Sequence, residues 1–213
     1  MGLKLAMFPL HLWLPNSYTY APSVVTSFLA ATATKVSLYV LLRFTFSVFH
    51  YDFEFIIEIF KFLILPTSIV SMFFMSCVAI FQNDIRKMLA FSSIGQVGYM
   101  LLGVSFFSMG GLTATLVTLF NHGITKATLF MTLGLISFRS GGAFLNNISG
   151  AGRKYPWTCL AFLVGGLSLV GIPGTAGFIS KWLLVVAALE KGLVWLAFLI
   201  VASSLLTLIY MWI

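Results

Sequence analysis

The sequence predicts an all-α integral membrane protein, and three observations carry that prediction. Of its 213 residues, 60% are hydrophobic and only 8% are charged, whereas a soluble domain carries about 25% charged residues and needs them to cover its surface. The apolar residues are gathered into runs long enough for helical spans of ~20 residues, and the ~10-residue alternating strands of a membrane barrel are absent. The charged residues that remain fall mostly between the runs, where they alternate from one side to the other. Mean hydropathy is +1.06.

About six transmembrane helices are expected, after the end of a broken helix at the N-terminus. Residues 1–15 hold Lys4, Pro9, His11 and Pro15, which interrupt any signal-peptide core and mark the broken piece. The first full run covers 22–46. The second covers 54–81, approached through Asp52, Glu54, Glu58 and Lys61 and left through "FQNDIRK". The third and fourth, 87–108 and 111–138, are separated by "MGG". Loop 139–155, "RSGGAFLNNISGAGRKY", is the most polar and glycine-rich stretch. The fifth run, 156–189, is too long for one simple span and carries "GIPGTAG" in its middle. A discontinuous helix is therefore predicted around 171–177, because Pro173 lacks an N–H and disfavours helical geometry in the residue before it. The sixth run covers 192–213. All of 1–213 reads as one transmembrane domain. The run that reaches Ile213 has no polar tail, and a fragment or split gene product is expected.

Alternating crossings place Arg86, Lys87, Arg139, Arg153 and Lys154 on one side. Arg43 and Lys191 fall on the other with Asp52, Glu54, Glu58 and Glu190. The excess of basic residues makes the first side cytoplasmic, and the expected location is the inner (plasma) membrane of the cell, crossed several times. The formal charge of +7 is scattered, with no basic cluster longer than a pair, so it reads as orientation signal and not as a nucleic-acid surface. Cys77 and Cys159 lie inside apolar runs, as small core or lipid-facing residues. The sequence has no zinc spacing, no haem or flavin fingerprint and no Ser/His/Asp arrangement with a supporting motif. "GAGRKY" looks like a phosphate loop but has neither the preceding strand nor the spacing. No cofactor and no metal are expected.

Five ionisable residues resist a surface assignment: Lys4, Lys35, His122, Lys126 and Lys181. Lys35 sits in "LAATATKVSLYVLLR", near the middle of its span, where a charge costs at least ~2.5–3.5 kcal/mol. His122 and Lys126, in "FNHGITKATLF", are four residues apart and share a helix face, with Asn121 adjacent. Lys181 follows the predicted break, and broken helices beside an ionisable residue are one way to build an ion site in a membrane. Each has a plainer reading: Lys4 as an interfacial lysine, Lys35 as a snorkelling one, His122 as a satisfied interhelical partner. Deep lysines with hardly any deep carboxylate, however, cannot all be neutralised as ion pairs. A lysine that exchanges between charged and neutral forms inside a membrane is a proton-relay element. His11, beside Trp13 and Pro15, either lines a polar mouth or is structural. His50 precedes acidic residues and is expected to be solvated.

Several long blocks carry a resemblance. "FPLHLWLPNSYTYAPSVVTSFLAATATKVSLYVLLR", "NDIRKMLAFSSIGQVGYM", "NHGITKATLF" and "GLSLVGIPGTAGFISKW" resemble, in order, segments shared by antiporter-like subunits of respiratory complex I and Mrp-type cation/proton antiporters. "TYAPS", "ATATKVS" and "GFISKWLL" are most similar to the D-type subunit of the Mrp antiporters. The resemblance implies a proton path. Lys4 stands where the family has the lysine of its first broken helix, and Lys35 where it has the central lysine of the next. His122 and Lys126 match the histidine and lysine linking that site toward the exit, and Lys181 matches the terminal lysine at the second broken helix. Gln96 stands where some complex I members have a histidine, and with Asn121 and His11 it is a supporting candidate. In the family the first lysine pairs with a glutamate on a helix far upstream, which this sequence does not contain. Complete members have about fourteen helices in two inverted repeats, of which this chain would cover mostly the second.

The expected function is proton translocation through a buried lysine/histidine relay, in a subunit of an Mrp-type antiporter exchanging a monovalent cation (Na+) for protons. Its expected partners are the other subunits of that complex, the lipid bilayer, protons and the cation, with no nucleic acid. A secondary transporter subunit of this kind is not expected to be an enzyme; the chain would belong to one only as part of an NADH:quinone oxidoreductase complex. The alternatives are a proton-pumping membrane-arm subunit of NADH–quinone oxidoreductase and an inactive structural remnant.

Overall fold

The computed structural model describes residues 1–48 and 54–212. The solvated position expected for His50 and the loop charge Asp52 lie outside the described residues. Two short helices come first, α1 (Gly2–Leu5) and α2 (Trp13–Tyr20). Between them the chain leaves helical geometry, starting with Ala6 in the left-handed region (φ 55), so the expected broken helix is present. The long helix α3 (Ser23–Arg43) continues as a wider π-helical turn, Phe44–Val48. A short helix, α4 (Glu54–Ile59), runs through a second π-helical turn, Phe60–Ile64, into α5 (Leu65–Ile80). Pro66 supplies the reason for that turn: it lacks an N–H, and the widened turn just before it absorbs the missing bond without ending the helix.

The next helices are α6 (Ile85–Ser105) and α7 (Met109–Ser140). Asp84 caps α6 by accepting the Arg86 N–H at 2.8 Å, and Ser108 caps α7 by accepting the Gly111 N–H at 3.1 Å, both as N-caps favour. Two short helices, α8 (Leu145–Ile148) and α9 (Ala151–Lys154), occupy the polar loop. The fifth run is split into α10 (Pro156–Val170) and α11 (Ala176–Glu190), and α12 (Val194–Trp212) follows. The break spans 171–175, somewhat shorter than expected, because Ala176 and Gly177 already belong to α11.

Among the described residues, four stretches are long and apolar enough to cross a membrane: Ser23–Val48, Glu54–Ile80, Ile85–Ser105 and Val194–Trp212. The other two expected spans differ for identifiable reasons. One is the split pair α10 and α11. The other is α7, whose 32 residues give ample length, about 48 Å at the helical rise of 1.5 Å per residue, but whose inner face is polar. Along α7, Phe120, Ile124, Met131, Leu135 and Phe138 are exposed, while Thr118, His122, Thr125 and Lys126 are buried. This is the reverse of a water-soluble amphipathic helix. It is stable only where the surroundings are apolar and the polar side chains find partners inside.

The bundle is built around α6. Its apolar stretch is 89% buried, against 33–39% for the other three spans, so α6 is enclosed by neighbours while they keep one face on lipid. Small residues make that enclosure close. A Cβ on Gly98 would lie 2.8 Å from the Ser68 carbonyl oxygen of α5, so the two backbones meet at a distance only glycine allows.

The two ends of the bundle carry different loop charges. At one end the Arg86 guanidinium donates to the Thr19 carbonyl and to Ser137 Oγ, Asp84 pairs with Phe144, and Arg139 stacks over Tyr155 at 4.8 Å. At the opposite end Phe107 packs on Phe46 and Phe60, and Gly110 lies against the Glu190 carboxylate. A membrane-impermeant thiol reagent should therefore label Arg153→Cys from the cytoplasmic side and Glu190→Cys from the opposite side, in intact cells against inverted vesicles. Labelling of both from one side would overturn the topology.

The break depends on Gly177. A Cβ there would fall 1.7 Å from the Ser168 carbonyl oxygen, so the start of α11 can sit on α10 only without a side chain. Gly177→Ala in the complete protein should cost on the order of 1–3 kcal/mol or more through overpacking. It should lower the thermal unfolding midpoint in detergent. Gly152→Ala, where a Cβ meets nothing within 4 Å, should leave that midpoint unchanged.

Candidate functional site: a buried line of lysines and a histidine

The small-residue run of α3 answers why a lysine is accommodated at Lys35. Ala31 lies against α7, its carbonyl oxygen 3.3 Å from where a Gly123 Cβ would be, and Ser23 packs on Gly134 near the end of the contact. Small side chains let the two helices approach closely. Lys35 is one turn beyond Ala31 and so faces the same way. It is buried, 6% exposed, and its Nζ donates to the Ala30 carbonyl of its own helix. Through this contact Lys35 comes within electrostatic range of both His122 and Lys126.

Lys126 is wholly buried. Its Nζ crosses to α6 and donates to the Leu89 carbonyl at 2.7 Å and to Ser92 Oγ at 2.5 Å. His122, one turn earlier on α7, is 4% exposed, and neither of its ring nitrogens reaches a hydrogen-bond partner among the described residues. A buried imidazole with both nitrogens uncommitted is unusual, since buried polar groups are nearly always paired. No Asp or Glu is among the buried residues described, so these cations have no carboxylate beside them.

Lys181 is positioned by the helix break. Gly171, in the left-handed region at φ 84, ends α10, and its N–H and that of Ile172 both return to the Leu167 carbonyl. This leaves the Val170 carbonyl free to accept, and Lys181 Nζ donates to it at 2.7 Å. A cation at the negative end of a half-helix is favoured by the helix dipole. The same ammonium lies 5.2 Å from the centre of the Tyr99 ring, within cation–π range. Asn121 ties α7 to the start of α11 by donating to the Ala176 carbonyl at 2.8 Å and to Ser180 Oγ at 2.7 Å.

His122 and Lys181 open on one shared cavity of about 20 Å3, lined also by Gln96, Tyr99, Thr118, Asn121, Thr125, Ser168 and Ser180. That volume holds about one water molecule, and the lining offers the two to four polar partners a water needs. The structure thus brings Lys35, His122 and Lys126 near one another and His122 and Lys181 onto one cavity, with Gln96 and Asn121 on its wall.

Two candidates stand apart. Lys4 is exposed, on a shallow groove shared with Trp13, Ala33 and Ser37. Ala33 and Ser37 lie on the side of α3 opposite Lys35, so Lys4 is not part of the buried cluster in this chain. His11 is buried and stacks on Phe8 at 5.4 Å, away from the cavity.

Sequence reading missed Ser92, whose Oγ accepts from Lys126, and the other hydroxyl residues around the site. Ser92, Tyr99, Ser168 and Ser180 look ordinary on their helices, because a serine in a membrane helix usually bonds its own backbone. Only the neighbouring helix gives them a cation or amide to serve. Chemically the arrangement offers four titratable nitrogens with hydroxyl side chains beside them. Among the described residues no three His, Cys, Asp or Glu side chains gather in a geometry fit for a metal.

Comparison with known proteins agrees with this geometry. Residues 1–207 match the NADH:quinone oxidoreductase/Mrp antiporter transmembrane family. The chain is 37% identical to NADH-quinone oxidoreductase subunit N of Desulforudis audaxviator, over 99% of this chain and 42% of the relative. It is 32% identical to the D-type subunit of the Na(+)/H(+) antiporter of Alkalihalophilus pseudofirmus, again over 99% and 42%. It superposes on the Mrp complex of Dietzia sp. DQ12-45-1b with a TM-score of 0.90 and 32% identity, covering 99% of this chain and 39% of that one. The chain therefore spans about two fifths of the length of the relatives it matches. Identity is higher to the oxidoreductase relative than to the antiporter relative, so the likeness of single blocks to the D-type subunit does not select that branch. By the extent of the match, the chain belongs to the proton-translocating NADH:quinone oxidoreductase/Mrp antiporter transmembrane family.

Proposed function

We propose that this chain carries the second part of a proton path, in a subunit of an Mrp-type monovalent cation/proton antiporter in the plasma membrane, assembled with other membrane subunits. The observation that carries the proposal is the uncommitted imidazole of His122. It lies in electrostatic range of Lys35 and Lys126 and shares a cavity with Lys181. A proton on Lys35 repels one on Lys126, so loading one site promotes release from the other. His122 can accept at one nitrogen and release at the other. The cavity offers room for a bridging water toward Lys181, which holds the proton against the Val170 carbonyl. Sodium or another monovalent cation would be the exchanged ion.

A second reading is supported by the higher identity to a subunit N relative: the same relay working as a membrane-arm subunit of an NADH–quinone oxidoreductase. The driving reaction separates the two. In inverted vesicles holding the complete complex, the antiporter reading expects a pH change when a sodium gradient is imposed. The oxidoreductase reading expects it only on NADH oxidation.

Lys35 provides the test of the relay. Lys35→Ala in the complete complex should leave assembly intact, since removing a buried charge also removes its desolvation cost, and should abolish proton transport. Lys35→Arg should also abolish it, because a guanidinium does not release its proton. A packing role for Lys35 predicts the reverse: lost assembly with Ala and near-normal transport with Arg. Normal transport in Lys35→Ala vesicles would remove Lys35 from the path.

A further inference from the structure

Tyr99 of α6 touches two other helices at once. Its hydroxyl is hydrogen-bonded to Ser203 Oγ of α12, and the Lys181 ammonium of α11 lies over its ring, 5.2 Å from the centre. Tyr99 is 2% exposed and Ser203 0%. The tyrosine also packs in one apolar cluster with Leu184 of α11 and Ile200 of α12. The ring is therefore braced at its hydroxyl and along its sides, with little freedom to swing from the lysine. Lys181 is steered to it from the other end. A Cβ on Gly171 would lie 3.0 Å from Lys181 Cδ, so the lysine stem runs over a residue without a side chain. Its head falls between the Val170 carbonyl and the Tyr99 ring. That carbonyl is its one hydrogen-bond acceptor among the described residues.

We infer that Tyr99, braced by Ser203, is a positioning residue of the relay: its ring face stands in for a carboxylate at Lys181 and stations the ammonium at the cavity. The inference rests on the relay reading above, and it gives α12, which bears no charged side chain within 194–212, a part in that relay. An aromatic ring attracts a cation through its quadrupole, most strongly where water is excluded. Unlike a carboxylate it takes no proton, so it holds the lysine without capturing what the lysine carries. The other titratable group lining the cavity with Lys181 is His122 of α7. Helix α10 bears no charged side chain within 156–170. Cys159 of α10, Tyr210 of α12 and Glu190 at the end of α11 are outside the cavity lining. The ring and the Val170 carbonyl are thus what solvate the ammonium. Satisfying a buried phenol would require only its bond to Ser203, and would not place the ring beneath a lysine.

The test uses the complete membrane complex in inverted vesicles, with transport expressed per assembled complex and followed against proton concentration. Phenylalanine and its mono-, di- and trifluorinated forms are placed at position 99. They are close in shape, and each fluorine withdraws charge from the ring face. The half-saturating proton concentration should rise stepwise along the series. It should reach about tenfold above the unsubstituted protein at the trifluorinated ring and in Tyr99→Leu, with the maximal rate changed far less. Ser203→Ala should raise it about threefold when Tyr99 is present and leave it unchanged beside Tyr99→Phe, which has no hydroxyl to brace. A half-saturation that is flat along the fluorinated series, or a Ser203→Ala effect undiminished beside Tyr99→Phe, would overturn the role. If Tyr99→Leu fails to assemble, the fluorinated series, which keeps the ring, decides alone. Lys35→Ala measured alongside separates the two levels. Normal transport there overturns the relay itself, whereas an inactive Lys35→Ala beside a flat fluorinated series overturns only the role of Tyr99.

Discussion

Three lysines inside the bundle, Lys35 and Lys126 buried and Lys181 half-buried, are each held by a neutral backbone carbonyl: Lys35 by Ala30, Lys126 by Leu89, and Lys181 by Val170. An ammonium in hydrocarbon must be solvated by the protein or it is not tolerated at all. A carboxylate would solvate it more strongly and would also fix the proton in place. A carbonyl dipole gives enough stabilisation to permit the charge and too little to hold it permanently. The rest of the bundle is arranged to supply those carbonyls at depth.

Supplying them requires close helix approach or helix breaks, and both are present. The Leu89 carbonyl belongs to a regular helix, so Lys126 reaches it only because α7 runs against α6 with its polar side inward. The Val170 carbonyl is free because Gly171 turns the chain left-handed and ends α10 within the bundle. The new helix then starts against the old one, and its first turn fits only because Gly177 has no side chain to strike Ser168. The polar interior of α7 is balanced by its exposed Phe120, Ile124, Met131, Leu135 and Phe138, which meet lipid without cost.

The cavity between His122 and Lys181 is small, about 20 Å3. A wide aqueous passage would screen the cations from one another and leak protons, whereas room for about one water keeps the local dielectric low and the repulsion between neighbouring sites strong. Coupling between sites in such a line is electrostatic, and it depends on distances that the backbone contacts fix.

The sequence by itself determined the membrane character and the break near Pro173, and it picked out Lys35, His122, Lys126 and Lys181 while wrongly adding Lys4 to the deep cations. These are local properties. A run of apolar residues needs no partner to be insoluble, proline lacks its N–H in any fold, and a lysine thirteen residues past Pro22 lies at mid-depth in any helical span. His122 and Lys126 were legible as a pair for the same reason, because helix periodicity puts residues four apart on one face. Only the tertiary structure decided which cations stand together. It joined Lys35 to His122 across the α3–α7 contact and His122 to Lys181 across the cavity, and it left Lys4 on the outer face of α3. It also gave Ser92 and Tyr99 their partners. Hydroxyl residues on apolar helices carry no periodic signal of their own. What a hydroxyl bonds depends on which helix lies opposite, and that is set by the packing of small residues whose contacts are far apart in the chain.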